Sequence, residues 1–173
     1  MIEQADKLNN QAIILASDGE YNEAIACFKR AITLDKSNYL LWYNLGVTYR
    51  DLGELEKARV ALETAYNLDP ENDDAEETFA TLCLMQKNYE EVLAICETGL
   101  YRNPYNSHLW NLVGVTNFQN ENYEDAATCF EQAVFINPYY LDALYNLRDT
   151  YDFLKNTKGI TEINIRINEI EKS

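Results

Sequence analysis

The chain contains three prolines, Pro70, Pro104 and Pro138, and each follows the last by 34 residues. Other landmarks keep the same step. Gly19 and Gly53 stand one period apart, while Trp42 and Trp110, and likewise Gly46 and Gly114, stand two periods apart. A period of this length belongs to arrays of helix-turn-helix units, and such arrays bind proteins far more often than they catalyse reactions.

With Trp42 in the fourth place of its unit, repeats fall at about 5–38, 39–72, 73–106 and 107–140. The eighth place is small throughout (Ala12, Gly46, Ala80, Gly114). The twentieth is small or medium (Ala24, Ala58, Val92, Ala126), and the twenty-seventh is small again (Ala31, Ala65, Gly99, Ala133). Small residues let two helix backbones approach, and large neighbours fill the space beside them. Trp42, Leu45 and Tyr49 recur at helical spacing, and short polar turns such as Asp18-Gly19-Glu20 and Leu52-Gly53-Glu54 separate the helical stretches. Each turn precedes Tyr21, Leu55, Tyr89 or Tyr123, placed to pack where a second helix starts. The prolines suit the boundary between units.

Unit two reads Trp42-x2-Leu45-Gly46-x2-Tyr49, then Ala58-x3-Leu62, Ala65 and Pro70; unit four repeats it with Trp110, Val113, Gly114, Ala126, Phe130, Ala133 and Pro138. This resembles the tetratricopeptide repeat family, whose pattern is W-x2-L-G-x2-Y, A-x3-F, P. Units one and three are looser, with Lys36 in the proline place and Glu76 in the tryptophan place. The expected fold is an all-α helix-turn-helix solenoid, one domain over residues 1–173, with four full repeats and a degenerate C-terminal cap at 141–173. In the fifth unit Leu144, Leu147 and Tyr151 keep register, but Arg148 takes the small place and should push its partner helix outward. Ile160, Ile163, Ile167 and Ile170 form a narrow apolar stripe, read as a terminal helix covering the last open face. Self-association of two copies through that C-terminal helix is the alternative.

Composition narrows the function. A net charge of -15 speaks against nucleic acid and anionic membrane surfaces and would attract basic partners. Ile13-Ile14-Leu15-Ala16 is too short to insert into a membrane, and Met1 to Gln11, with Glu3, Asp6 and Lys7, lacks the basic start and apolar stretch of a secretory signal. Cys27, Cys83, Cys96 and Cys129 form no C-x-x-C pair and fall on apolar helix positions, as buried free thiols of a cytoplasmic protein would. The lone histidine, His108, has no nucleophile pattern beside it. The acids at Glu71, Asp73, Asp74, Glu76 and Glu77 lack calcium-loop spacing and read as a solvated turn and helix start. No glycine-rich phosphate loop is present. Nothing in the pattern points to catalytic residues, a cofactor or a metal.

What the resemblance implies for binding can be carried over place by place. First helices of this family line a concave face, and ligand contacts come from the second, fifth, ninth and twelfth places. Here these include Asn9 and Ile13; Leu40, Tyr43, Val47 and Arg50; Asp74, Glu77, Thr81 and Leu84; His108, Asn111, Val115 and Phe118; and Asp142, Tyr145, Asp149 and Asp152. Apolar and aromatic groups sit mid-groove with acids around them, which suits a basic or amphipathic peptide or helix. The carboxylate clamp of chaperone-tail binders is not matched: Ile13 stands at a required Asn, and Asp74 and Thr78 stand where Lys and Arg are needed. The reading is a non-catalytic interaction scaffold. A small acidic chaperone for a secreted or assembly-prone partner, or a self-associating adaptor, is the alternative.

Overall fold

A computed structural model describes residues 4–172. Met1 to Glu3 and Ser173 lie outside the described residues, as does the part of the N-terminal reading that rests on Glu3. The described residues form ten helices and no strand: α1 (Ala5–Ser17), α2 (Tyr21–Leu34), α3 (Tyr39–Asp51), α4 (Leu55–Leu68), α5 (Asp73–Met85), α6 (Tyr89–Arg102), α7 (Ser107–Gln119), α8 (Tyr123–Ile136), α9 (Leu141–Phe153) and α10 (Thr157–Glu171). Every odd-numbered helix starts 34 residues after the previous odd one, and the even-numbered helices keep the same step, the degenerate fifth hairpin included. The prolines lie two residues beyond the ends of α4, α6 and α8.

By its internal contacts the chain falls into two compact units, Met1–Gln86 and Lys87–Ser173, the boundary lying in the turn between α5 and α6. In the first unit α1 pairs with α2 and α3 with α4, α2 packs on α3, and α4 packs on α5. Its core holds Phe28, Leu41, Leu45 and Leu62 over Ala12, Ala24, Ala31, Ala58 and Ala65. The close approach is direct: a Cβ on Gly46 would lie 2.6 Å from Leu62 Cγ. In the second unit α6 packs on α7, α7 pairs with α8, α8 packs on α9, and α9 pairs with α10. Phe130, Ala133, Val134, Leu144, Leu147, Ile163 and Ile167 share one core.

The terminal stripe is inward-facing. Ile163 and Ile167 are buried, and Ile170 packs on the same core. Arg148 stands in the small place of α9, and α9 and α10 touch less extensively than α7 and α8. The small residue has moved to the other helix, where a Cβ on Gly159 would lie 2.6 Å from the Tyr151 ring. Burial, aided by a 2.7 Å hydrogen bond from the Tyr151 hydroxyl to Glu131, pushes the Tyr151 phenol well above its usual pKa.

Two repeated devices hold the turns. Asn38, Asn72 and Asn106 precede α3, α5 and α7, and each side chain accepts a hydrogen bond from a first-turn N–H, closing groups that the helix leaves open. The indoles of Trp42 and Trp110 donate to the Lys36 and Pro104 carbonyls, both at 2.9 Å. The tryptophan place thus clamps its helix to the preceding inter-repeat turn. In the third repeat that place holds Glu76, which is 0% exposed. The acidic run around it is therefore not uniformly solvated, contrary to the expectation from its composition. A residue in the tryptophan place faces the interior whatever its chemistry.

Within each hairpin, one turn residue lies in the left-handed region. Gly19 and Gly53 hold it at φ +82 and +83, and Lys87, Glu121 and Lys155 hold the same place at 61, 63 and 59. A side chain there costs about 1 kcal/mol. We expect Lys87→Gly, Glu121→Gly and Lys155→Gly each to raise the unfolding free energy by about 0.5 kcal/mol, after allowance for the freer unfolded chain. Urea denaturation of the three variants checks this; a loss of stability in all three would refute the strain.

Candidate binding face of the first helices

On the first unit the face of α1, α3 and α5 carries the predicted residues in two roles. Ile13 and Leu40 are exposed, 45% and 40%, although large and apolar. Val47, Thr81 and Leu84 are half-buried, and Asp74 is exposed in the first turn of α5. Glu77 is half-buried nearby. Arg50 is not a free cation, because its guanidinium bonds Asp51 at 3.0 Å.

The fifth place proves to be a stacking position. Asn44 Nδ2 donates to Asn9 Oδ1 at 3.0 Å, and the Tyr43 and Thr78 hydroxyls share a 3.3 Å bond. In the second unit Asn146 Nδ2 donates to Asn111 Oδ1 at 2.9 Å. Each pair joins the fifth place of one repeat to the sixth place of the next. Asn9 and Asn111 are accordingly 7% and 8% exposed, and Asn111 also donates to the Tyr140 hydroxyl at 3.4 Å. In the fifth hairpin the same place has Tyr145, whose hydroxyl donates to Glu171 at the end of α10, while the Arg148 guanidinium sits 5.0 Å over its ring. The Glu171 bond raises the Tyr145 phenol above its ordinary pKa.

The second unit brings ninth- and twelfth-place residues together. Val115, Phe118, Gln119, Phe130, Asn146 and Asp149 line a hollow of about 140 Å³. Beside it, Phe118, Arg148, Asp149, Asp152, Phe153 and Ile160 line a wider one of about 410 Å³. Phe118 anchors a three-ring cluster: it meets Tyr123 and Phe153 edge-on, both at 5.2 Å, and those two stack at 4.8 Å. His108 is exposed and rests on the Tyr140 ring at 4.7 Å. Asp142 is exposed in the first turn of α9.

Phe153, Tyr123 and Ile160 escape a place-by-place carry-over. Phe153 stands one residue beyond the twelfth place, and Ile160 belongs to the atypical last helix. All four cysteines are free, with Cys83, Cys96 and Cys129 buried. Burial pushes the Cys129 thiol up despite the Asn117 amide beside it. Among the described residues no group of three or more His, Cys, Asp or Glu could hold a metal ion, and no helix is long and apolar enough to cross a membrane.

Comparison with known proteins matches this geometry. A TPR repeat model fits residues 14–53, and tetratricopeptide repeat models fit 51–114 and 107–140. The chain is 29% identical over 107 residues to "Protein STIP1 homolog" from Dictyostelium discoideum, covering 62% of this chain. It is 33% identical over 54 residues, 31% of the chain, to the "Small glutamine-rich tetratricopeptide repeat-containing protein" of the same organism. The matches span 19% and 16% of those proteins, less than a fifth of either. Among solved structures, MamA 41-end from Desulfovibrio magneticus RS-1 superimposes with a TM-score of 0.85 at 20% identity, covering 99% of this chain and 97% of that one. YrrB, described as a TPR protein with an unusual peptide-binding site, gives 0.72 at 22% identity, covering 96% and 86%. At these identities the likeness is one of fold.

Proposed function

Because the chain belongs to the tetratricopeptide repeat family, we propose that it is a non-catalytic interaction scaffold that captures a peptide or helix of a partner protein along its first helices. The observation that carries the reading is the pair of hollows around Phe118, where apolar side chains lie beside Asp149 and, in the wider hollow, Asp152 as well. An apolar side chain of the partner anchors there, and the acids orient it and reject acidic sequences. On the first unit, taken by itself, Ile13 and Leu40 leave apolar surface exposed. The stacked positions Asn9, Tyr43 and Asn111 shape the face and contribute less to the ligand than their places suggest, since each already bonds the next repeat. A basic or amphipathic segment fits the net charge of -15. YrrB has a peptide-binding site on the same fold, which supports a peptide as the class of ligand.

Phage-displayed random peptides selected on the whole chain test the reading. Phe118→Ala should weaken the selected peptides by more than about 1 kcal/mol, as loss of an anchor contact does. Circular dichroism should show the helices intact, because Phe118 is only half-buried. Unchanged affinity in the variant, or no peptide retained by the wild type, would overturn the proposal.

A further inference from the structure

We propose that the wider hollow, between the ends of α7 and α9 and the start of α10, is a pocket for one basic side chain, Lys or Arg, of the captured segment. This rests on the scaffold reading above and adds a chemical identity to one subsite. The wall is aromatic and aliphatic: Phe118, Phe153 and Ile160 line it. Phe153 keeps 55% of its surface exposed although it stacks on Tyr123 and meets Phe118 edge-on. The three rings thus contact one another while ring surface stays open, the arrangement that attracts a cation and the methylene stem behind it.

The acids decide the sign of the ligand. Asp149 and Asp152 both border the hollow, with Arg148 as the one cation among its lining residues. Arg148 is already engaged: its Nε and Nη2 donate to Asp149 Oδ1 at 2.9 and 2.7 Å, and its guanidinium sits over Tyr145. That pair is neutral. Asp152 is exposed, and its carboxylate has no partner among the described residues. One net negative charge thus stands beside open ring surface. A neutral apolar side chain would find the rings but leave the carboxylate unanswered. An acidic one would be repelled. A lysine or arginine satisfies both.

The test is a double-mutant cycle between protein and peptide. Peptides selected from the random library on the wild-type chain should be enriched in Lys or Arg. Replacing that basic residue by norleucine should weaken binding about fivefold on the wild type, the scale of an exposed cation–π contact joined to an ion pair. On Asp152→Asn the same replacement should cost about twofold or less, and Phe153→Leu should also shrink it. Isothermal titration reads all the arms, and Phe118→Ala reports separately on anchor capture. If peptides bind through Phe118 without basic enrichment, the scaffold stands and the basic pocket falls. Equal effects of norleucine on wild type and Asp152→Asn also remove the basic pocket and leave the scaffold. If no peptide binds the wild type, both fall.

Discussion

Phe130→Ala is expected to lower the unfolding free energy by about 3–5 kcal/mol, the scale for emptying an aromatic side chain from a close-packed core. Phe130 is 1% exposed and sits in the core that joins α8, α9 and α10. Its ring also explains why α7 carries glycine. A Cβ on Gly114 would lie 2.5 Å from Phe130 Cε1 and 2.7 Å from Cδ1, inside any tolerable contact. Gly114→Ala alone should therefore destabilise by about 1–3 kcal/mol. In the Phe130→Ala background the obstruction is gone, and the same change should stabilise by about 0.5–1 kcal/mol through helix propensity. Urea denaturation of the four proteins checks the cycle. Additive effects within about 0.5 kcal/mol would show that these two residues do not set the distance between α7 and α8.

Gly46→Ala should cost about 2 kcal/mol net. Its new methyl would meet Leu62 Cγ at 2.6 Å, Cδ2 at 2.8 Å and the Leu62 backbone nitrogen at 3.1 Å. Leu62 is 0% exposed, so its side chain has no free space to turn into. The helical preference for alanine, about 1 kcal/mol, returns part of the loss. The outcome differs from that at Gly114 in one respect. The backbone atom is part of the obstacle here, so truncating Leu62 should recover only a fraction of the lost stability. Full recovery in Gly46→Ala/Leu62→Ala would place the conflict in the side chain alone.

The architecture is readable because its cause repeats. Every helix start follows the step the prolines mark, and the small places are where backbones meet, as Gly46 and Gly114 show. The degenerate fifth hairpin is legible in Arg148, which stands in the small place, while the close approach there falls at Gly159. Three things are not legible. The left-handed turn is announced by glycine only at Gly19 and Gly53; Lys87, Glu121 and Lys155 adopt it because the hairpin on either side demands it. The buried state of Glu76 contradicts its composition and follows from its place. On the binding face, family places locate Val115, Phe118, Asp149 and Asp152 at the two hollows. They do not say that Asn9 and Asn111 are buried, because whether a fifth-place side chain is claimed by the neighbouring helix depends on the sixth-place partner there, an amide for Asn9 and Asn111 and a hydroxyl for Tyr43. Phe153 lies one residue beyond the family's contact place, and Ile160, legible as part of the terminal apolar stripe, is not legible there as a wall of the wider hollow.

The rungs between successive first helices carry a corollary for length. Repeat two receives one through Asn44 and gives one through Tyr43, on adjacent residues of the same helix. A duplicate of residues 39–72 spliced after the original would set a phenol opposite a carboxamide, donor against acceptor, and so keep the rung. On α4 the match is lost, because Gln86, which bonds Arg59 and Glu56 across the present junction, would give way to Leu52. Lengthening by whole modules therefore preserves the ladder of first helices and asks for new pairing only on the second.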